Sequence, residues 1–256
     1  MNAIDNTDKD FIHSLAKGLA VLRVFSREHP ALTLSEVARE TQLTRAGARR
    51  VLRTLEALGY VACDGRRFSL TPRILELGYS YVSSRHWLGI ARPYLQDLRD
   101  QIGEHVSVAV LDGTDVVYVA QYPIDRVVSV RLEIGMRRPA YCTAMGRVLL
   151  AQLPPDAARL RLEQSDLRKL NSRTETDIDL LLAEIAKAGT AGHAVIDQEI
   201  EDGLIAVAVP LADRNGGILA AINVCGHASQ VSLQHLQQVC LPAMRVAAAR
   251  IAQALP

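Results

Sequence analysis

The chain has 256 residues, of which 49% are hydrophobic, and it carries 29 lysines and arginines against 28 aspartates and glutamates. This length and apolar content allow a sizeable core and favour two domains. No apolar stretch approaches the roughly 20 residues of a membrane-spanning helix, and no N-terminal run resembles a signal peptide, which excludes a membrane partner and predicts a cytoplasmic protein.

The near-neutral total hides an uneven distribution of charge. Residues 11–87 contain 12 basic and 6 acidic residues, a net charge of +6, whereas residues 88–256 contain 16 and 19, a net charge of −3. The excess of basic residues in 11–87 and the mild excess of acidic residues in 88–256 indicate that a polyanionic partner binds the N-terminal part alone.

The spacing of the cysteines does not indicate a metal site. They lack a C-x-x-C pair and a histidine at zinc spacing, so we expect free thiols, no metal and no cofactor. The four positions are Cys63, Cys142, Cys225 and Cys240.

Helical periodicity begins near the N-terminus. The spacing of leucines and valines predicts a helix over Ser14–Glu28 with Ser14 as N-cap. Thr33 followed by Glu36 is a capping-box pattern and predicts a short helix over Leu34–Thr41. Thr44 is expected to cap a third helix, which ends near Leu58 because Gly59 follows.

Strand-like residues flank Asp64-Gly65, a dipeptide typical of a two-residue hairpin turn. Three helices followed by a hairpin describe a winged helix-turn-helix, predicted here over residues 11–71. Thr71-Pro72 then begins a fourth helix, expected to be a connector over residues 72–87.

The third helix predicts a contact with DNA. Its leucines and Val51 fall on one face, and Arg45, Arg49 and Arg53 fall on another, whereas Arg50 lies further round and is expected to touch the DNA backbone or a neighbouring helix. Arginine reads guanine and Thr44 can bond a phosphate, while Ala46 is small enough for close approach. Arg66 and Arg67 at the hairpin tip complete the candidate DNA-binding set. The alternative is a basic face that is merely solvated.

Residues 88–256 alternate strand and helix patterns and predict a single α+β domain on an antiparallel sheet. Helices are expected over Ala91–Gln101, Thr143–Gln152, Asp156–Glu163, Asp177–Ala188 and Leu233–Ala254. Strands are expected over 105–111, 116–122, 127–134, 193–200, 204–211 and 218–226, the last two joined by a hairpin at Asn215-Gly216-Gly217.

Several segments together resemble the IclR family of bacterial transcriptional regulators over nearly the whole chain. They include "LTLSEVARETQLTRAGARRVLRTLEALGYV", "DGRRFSLTPRILELG", "RPAYCTAMGR" and "VIDQEIEDGLIAVAVPL". The resemblance is greatest to regulators of aromatic-acid catabolism, the β-ketoadipate and hydroxybenzoate pathways. It implies a dimer or dimer of dimers that binds a palindromic operator in double-stranded DNA, with a GAF-like C-terminal domain that senses a small organic acid.

By matched position, the resemblance also implies a ligand-binding set. Its members are Cys142, Thr143, Ala144, Met145, Asp197, Glu199, Asn223 and Cys225. The loop Pro139–Gly146 enters a helix N-terminus, whose free N–H groups suit a carboxylate. Alternation places Asp197 and Glu199 on one face of a strand, where solvated acids are the other interpretation.

The chain departs from the family where many relatives carry Arg-Ser ahead of the "AVP" strand, because Ile205-Ala206 stands there. A partner for a ligand carboxylate is thereby lost, and Arg131, Arg137, Arg138 and Arg147 are the candidates to replace it, with surface solvation as their alternative role.

Two other functions compete with a ligand-responsive regulator. One is a constitutive DNA-binding regulator whose second domain only oligomerises. The other is an enzyme that uses Cys142 as nucleophile, with His105 or His193 as its base, although no recognised spacing links these residues.

Overall fold

The computed structural model describes residues 10–124 and 133–256. They divide into two compact units, with the boundary between Arg85 and His86, so that the connector helix clusters with the N-terminal unit. None of the helices described is both long and apolar enough to cross a membrane.

The N-terminal unit is a winged helix-turn-helix followed by a fourth helix. Its elements are His13–Arg23 (α1), Ala31–Thr33 (β1), Leu34–Glu40 (α2), Arg45–Ala57 (α3), Val61–Asp64 (β2), Arg67–Leu70 (β3), a 3-10 turn at Pro72–Ile74 and Leu75–Ser84 (α4). The three strands form an antiparallel sheet in the order β1-β3-β2. The core of the N-terminal unit includes four fully buried side chains, Val21, Val37, Ala48 and Leu52.

The predicted caps of α2 and α3 are confirmed. Thr33 N–H donates to Glu36 Oε2 at 2.7 Å and Glu36 N–H donates to Thr33 Oγ1 at 3.4 Å, which closes the capping box. Gly47 N–H donates to Thr44 Oγ1 at 3.1 Å. These bonds satisfy amides that the first helical turn leaves without partners.

Three details of this unit differ from expectation. Ser14 does not cap α1, which begins at His13 and ends at Arg23, well before Glu28. The hairpin turn is Gly65-Arg66, because Asp64 pairs with Arg67 across the sheet. Strand β1 was not expected, since three residues are too few to show an alternating pattern.

The C-terminal unit is an antiparallel sheet of six described strands with helices on both faces. Its helices are His86–Ile102 (α5), Ala144–Leu150 (α6), Pro155–Glu163 (α7), Ile178–Ala191 (α8), a single turn at Leu233–His235 (α9) that continues into π-helical Leu236–Cys240, and Leu241–Ala254 (α10). Its strands are His105–Asp112 (β4), Asp115–Tyr122 (β5), Arg137–Pro139 (β6), Ala194–Asp197 (β7), Leu204–Ala212 (β8) and Ile218–His227 (β9), in the order β6-β5-β4-β9-β8-β7.

Different helices cover the two faces of this sheet. Helices α5 and α10 pack together, and α10 contacts β8, whereas α6 contacts β8 and β9 and packs against α8. Ala109, Ala208 and Ala221 belong to the same core cluster as α6. Alanines bring the backbone of α6 close to the strands, and α6 is buried along its entire length.

Several predicted elements of this unit need correction. Residues 127–132 of the third predicted strand lie outside the described residues, and β5 pairs instead with Arg137–Pro139. The strand predicted to reach Ile200 ends at Asp197, because Gln198 adopts a left-handed φ of 62°. Asp197 and Glu199 therefore do not share a strand face. Helix α5 begins at His86 rather than Ala91, and the last predicted helix is interrupted by its π-helical segment.

Candidate DNA interface and effector cavity

Helix α3 presents a buried face and a basic face. Ala48, Leu52 and Leu55 are buried, and all four arginines are exposed. Exposure of the basic face follows from the opposite face being held in the core.

The four arginines of α3 differ in their partners. Arg53 Nη1 lies 2.9 Å from Glu56 Oε2, so this arginine has a carboxylate partner on its own helix. The side chains of Arg45, Arg49 and Arg50 form no hydrogen bond or ion pair with any residue that the structure describes. Arg50 lines a groove between α1 and α3.

The two arginines of the hairpin also differ. Gly65 adopts a φ of 62°, which favours glycine, and Arg66 stands exposed beside it at the turn. Arg67 Nη2 donates to the carbonyl of Ala31 at 2.9 Å and ties β3 to β1. Ala46 is exposed in the first turn of α3.

The C-terminal unit contains a narrow cavity of about 30 Å³ between the α6 face of the sheet, the first turn of α6 and the segment 200–204. The lining is mainly apolar with a few polar groups. It consists of Tyr118, Arg138, Thr143, Ala144, Met145, Ile196, Ile200, Leu204, Ala206, Asn223 and Cys225.

Arg138 supplies the positive charge of this lining. It lies opposite Val116, a member of the α6-face core, whereas Arg137 lies opposite Val117. Facing residues of paired strands point to the same side of a sheet, so adjacent arginines point to opposite sides. Arg137 accordingly ion-pairs with Asp112 and Asp115 at 2.7 and 3.0 Å. Arg138 forms no ion pair with a described residue.

The pair Arg147–Glu199 is buried beside the cavity. Arg147 Nη1 and Nη2 donate to the two carboxylate oxygens of Glu199 at 2.9 and 2.6 Å. The two side chains are only 5% and 14% exposed. Arg147 belongs to α6, one turn after Thr143, and Glu199 precedes Ile200, so the pair connects two walls of the cavity.

The structure brings together five of the eight residues of the expected ligand-binding set, namely Thr143, Ala144, Met145, Asn223 and Cys225. The other three do not line the cavity. Asp197 is partly exposed and pairs with Arg173 at 2.8 Å, Glu199 pairs with Arg147, and Cys142 is fully buried.

The thiol of Cys142 is not activated. Burial, together with the negative charge of Glu199, raises its pKa to about 11. A thiol with a raised pKa remains protonated and is a poor nucleophile. His193, one of the two proposed bases, bonds the carbonyl of Ala191 instead.

The sequence-based set missed other lining residues. Tyr118, Ile200 and Leu204 carried no motif, and Arg138 was considered only as one of four possible charges. Of the pair Ile205-Ala206, Ala206 lines the cavity because it lies opposite Cys225, while Ile205 points to the other face. Arg131, a further candidate charge, lies outside the described residues.

Comparisons with known proteins cover both units. Residues 14–65 match the IclR helix-turn-helix domain, and residues 79–253 match the C-terminal domain of bacterial transcriptional regulators of the IclR type. The Pca regulon regulatory protein of Pseudomonas putida is 42% identical over 241 residues, which are 94% of this chain and 83% of that protein.

Solved structures agree with this assignment. A crystal structure from Rhodococcus sp. RHA1, described as a transcriptional regulator, is 47% identical with a TM-score of 0.84 and covers 96% of this chain and 98% of its own. The inducer-binding domain of a PobR double mutant from Acinetobacter, in complex with 3-hydroxybenzoic acid, is 30% identical with a TM-score of 0.61 and covers 64% of this chain and 96% of its own.

These relatives are regulators of transcription and not enzymes. The chain belongs to the IclR family of bacterial transcriptional regulators, with a helix-turn-helix domain followed by an effector-binding C-terminal domain.

Proposed function

We propose that this regulator binds a palindromic operator in the cytoplasm through α3 and the hairpin, and that a small aromatic-pathway acid in the cavity controls this binding. The observation that carries the proposal is Arg138, a cation without an ion-pair partner among the described residues, in a mainly apolar cavity. An organic acid with an apolar body complements such a lining. The relative complexed with 3-hydroxybenzoic acid supports the same ligand class.

A thermal-shift panel tests this function. We expect hydroxybenzoates, protocatechuate or β-ketoadipate to raise the melting temperature, because a ligand that binds only the folded state stabilises it. Short keto acids are included in the panel as smaller candidate effectors. If no acid shifts the melting temperature while the chain still binds DNA, the constitutive regulator becomes the better description.

At the DNA, we propose that Arg45 and Arg49 approach base edges, with Thr44 and Ala46 at the start of α3 against the backbone. Arg50 and Arg66 are proposed to contact phosphates. Arg53 and Arg67 already have protein partners, so we assign them weaker contacts that require those partners to be exchanged.

Replacing Arg49 with alanine is expected to weaken operator binding by about 1–3 kcal/mol, roughly 5- to 150-fold, with ligand affinity unchanged. The reason is the loss of an exposed guanidinium that has no protein partner to compensate. Fluorescence anisotropy with DNA from upstream of the regulator's own gene, compared with a scrambled duplex, provides the measurement. Arg168→Ala removes an exposed arginine of the C-terminal unit as a control for charge alone. Unchanged operator affinity in Arg49→Ala contradicts the assignment.

At the cavity, replacing Arg138 with methionine is expected to weaken binding of 3- or 4-hydroxybenzoate by roughly 10- to 100-fold, because a charge-assisted hydrogen bond is worth about 1.5–3 kcal/mol. Isothermal titration calorimetry measures this loss. Arg137→Met is the matched control, since the neighbouring arginine points to the opposite side of the sheet. Equal losses in the two variants argue against a specific carboxylate contact.

Exposed apolar side chains on α1 and α4 support the proposal of a homodimer or a dimer of dimers. Leu15, Leu75 and Tyr79 are 60%, 69% and 72% exposed. A two-fold dimer matches the two halves of a palindrome. Analytical ultracentrifugation is expected to show a dimer or tetramer for the wild type and a shift towards monomer for Leu75→Glu. A monomeric wild type contradicts the proposal.

The size of the cavity suggests how a ligand is coupled to DNA binding. Its volume of about 30 Å³ is far below the roughly 300–1,000 Å³ typical of ligand pockets, so a ligand must move the walls. We propose that this movement passes through the connector, residues 72–87, and alters the spacing of the two recognition helices in the dimer. The wall segments 143–147 and 199–204 are expected to move first.

A further inference from the structure

Of the three buried side-chain nitrogens in the C-terminal unit that have no hydrogen-bond partner among the described residues, two belong to strands β4 and β5. They are Nε2 of His105 and Nε2 of Gln121. His105 is only 7% exposed. Buried polar groups are almost always paired, so an unpaired group that the fold retains points to a partner that binds there. The third, Nε2 of His235, lies 3.8 Å from a carboxylate oxygen of Glu104, so an acceptor is already nearby.

The sheet register places both side chains on the face of the effector cavity. His105 lies opposite Cys225, and Gln121 lies opposite Ser107, which in turn lies opposite Asn223. Directly opposed residues project to the same face. Cys225 and Asn223 line the cavity. His105 lies directly beside Cys225, and Gln121 lies one strand beyond Asn223, across Ser107, so both flank the lining on the same face of the sheet.

A β-bulge makes this arrangement possible. The register of β4 and β5 shifts between Val108 and Ala109, so that Val108 lies opposite Ala120 and Ala109 lies opposite Tyr118. Strict alternation would put Tyr118 and Gln121 on opposite faces, since they are three residues apart. The extra residue of the bulge turns both side chains to the face of the sheet that bears the cavity.

A hydrogen bond between Asn223 and Ser107 leaves the donors of Gln121 and His105 available to a ligand. Asn223 Nδ2 donates to Ser107 Oγ at 3.2 Å, so the amide and the hydroxyl satisfy each other in part. The amide nitrogen of Gln121 can only donate. Burial lowers the pKa of His105, so its ring is neutral at pH 7, with one N–H to donate.

We propose that His105 and Gln121 form a second polar subsite of the effector cavity, which binds a hydroxyl, keto or carboxylate oxygen on the part of the ligand remote from its Arg138-bound carboxylate. This assignment rests on the proposed function and narrows its ligand class to acids with a second oxygen function. Benzoate lacks that oxygen and leaves both nitrogens unpaired. A site built to hydrogen-bond such an oxygen discriminates strongly against an analogue without it.

Calorimetric titration of the full-length protein with benzoate, 3-hydroxybenzoate and 4-hydroxybenzoate tests the subsite. We expect the wild type to bind at least one hydroxylated acid about tenfold or more tightly than benzoate, as for the loss of one well-placed hydrogen bond. In Gln121→Met and His105→Phe this preference is expected to fall towards unity while benzoate affinity stays within about twofold. Gln101→Met removes an exposed amide as the control, and Arg138→Met is expected to weaken all three acids together.

A ligand-free measurement separates a binding role from a structural one. If the unpaired amide awaits a ligand, Gln121→Met should keep or raise the melting temperature, because it removes an unsatisfied buried group of similar size. A marked fall shows that the amide supports the fold and overturns the proposal. Equal binding of all three acids by the wild type, or a preference that survives in both variants, also overturns the subsite but leaves the proposed function standing. Failure of all three acids to bind overturns the subsite and the aromatic-acid effector together.

Discussion

Replacing Arg147 with methionine is expected to lower the free energy of unfolding of the C-terminal unit by about 3–5 kcal/mol, the range for removing one partner of a buried ion pair. The variant leaves the carboxylate of Glu199 buried without its bidentate partner. It also removes the bond from Arg147 Nε to the carbonyl of Tyr141. Urea unfolding followed by tryptophan fluorescence measures the loss, because the single tryptophan of the sequence, Trp87, lies in α5 of this unit.

Two comparisons separate pairing from packing at this position. The double variant Arg147→Met/Glu199→Met is expected to recover most of the loss, since a buried ion pair can often be replaced by apolar side chains of similar volume at little cost. Arg159→Met breaks an exposed ion pair with Asp179 of the same 2.6 Å separation, and little change is expected there. A loss in the double variant as large as in Arg147→Met would assign the effect to the shape of the arginine.

The effect of Arg147→Met should depend on pH. Burial raises the pKa of Glu199 above its ordinary value of 4.5, although Arg147 opposes the rise. A carboxyl group whose pKa is raised on folding stabilises the protein below its unfolded pKa and loses that contribution as the pH rises through the folded pKa. Without Arg147 the folded pKa rises further. The difference in stability between variant and wild type is therefore expected to be small near about pH 4 and to widen towards neutral pH.

Local chemistry explains which parts of this molecule could be predicted from sequence. The capping box at Thr33 and Glu36 and the cap at Thr44 involve residues three positions apart, so their pattern is visible in the chain. The basic face of α3 follows from helical periodicity in the same way. The winged helix and the antiparallel class of the second unit were therefore predictable.

The cavity depends on relations that sequence does not display. Glu199 pairs with a residue 52 positions away, and only the left-handed Gln198 turns it out of the expected strand. The bulge that brings Tyr118 and Gln121 to one face is a register shift without a sequence motif. Arg137 and Arg138 are neighbours in β6 and point to opposite faces of the sheet. Which of the two faces the cavity is decided by the pairing of β6 with β5.

Replacing Gly146 with alanine is expected to cost at least about 3 kcal/mol of stability, the upper end of the usual range for overpacked cores. A Cβ at this position would lie 2.0 Å from the carbonyl oxygen and 2.4 Å from the Cα of Ala140, both backbone atoms that cannot rotate away. Either α6 or the loop before it must move, and the first turn of α6 lines the cavity.

Gly146→Ala is therefore expected to weaken hydroxybenzoate binding as well as to lower stability, which urea unfolding and calorimetry measure on the same samples. Gly189→Ala is the matched control, because this glycine also lies within a helix of the C-terminal unit and its Cβ would meet Ala151 at an ordinary 3.5 Å. Alanine favours a helix over glycine by up to about 1 kcal/mol, so the control should be neutral or stabilising. If Gly146→Ala were as stable as Gly189→Ala and bound the acid normally, α6 would not be held against Ala140 as tightly as the cavity geometry requires.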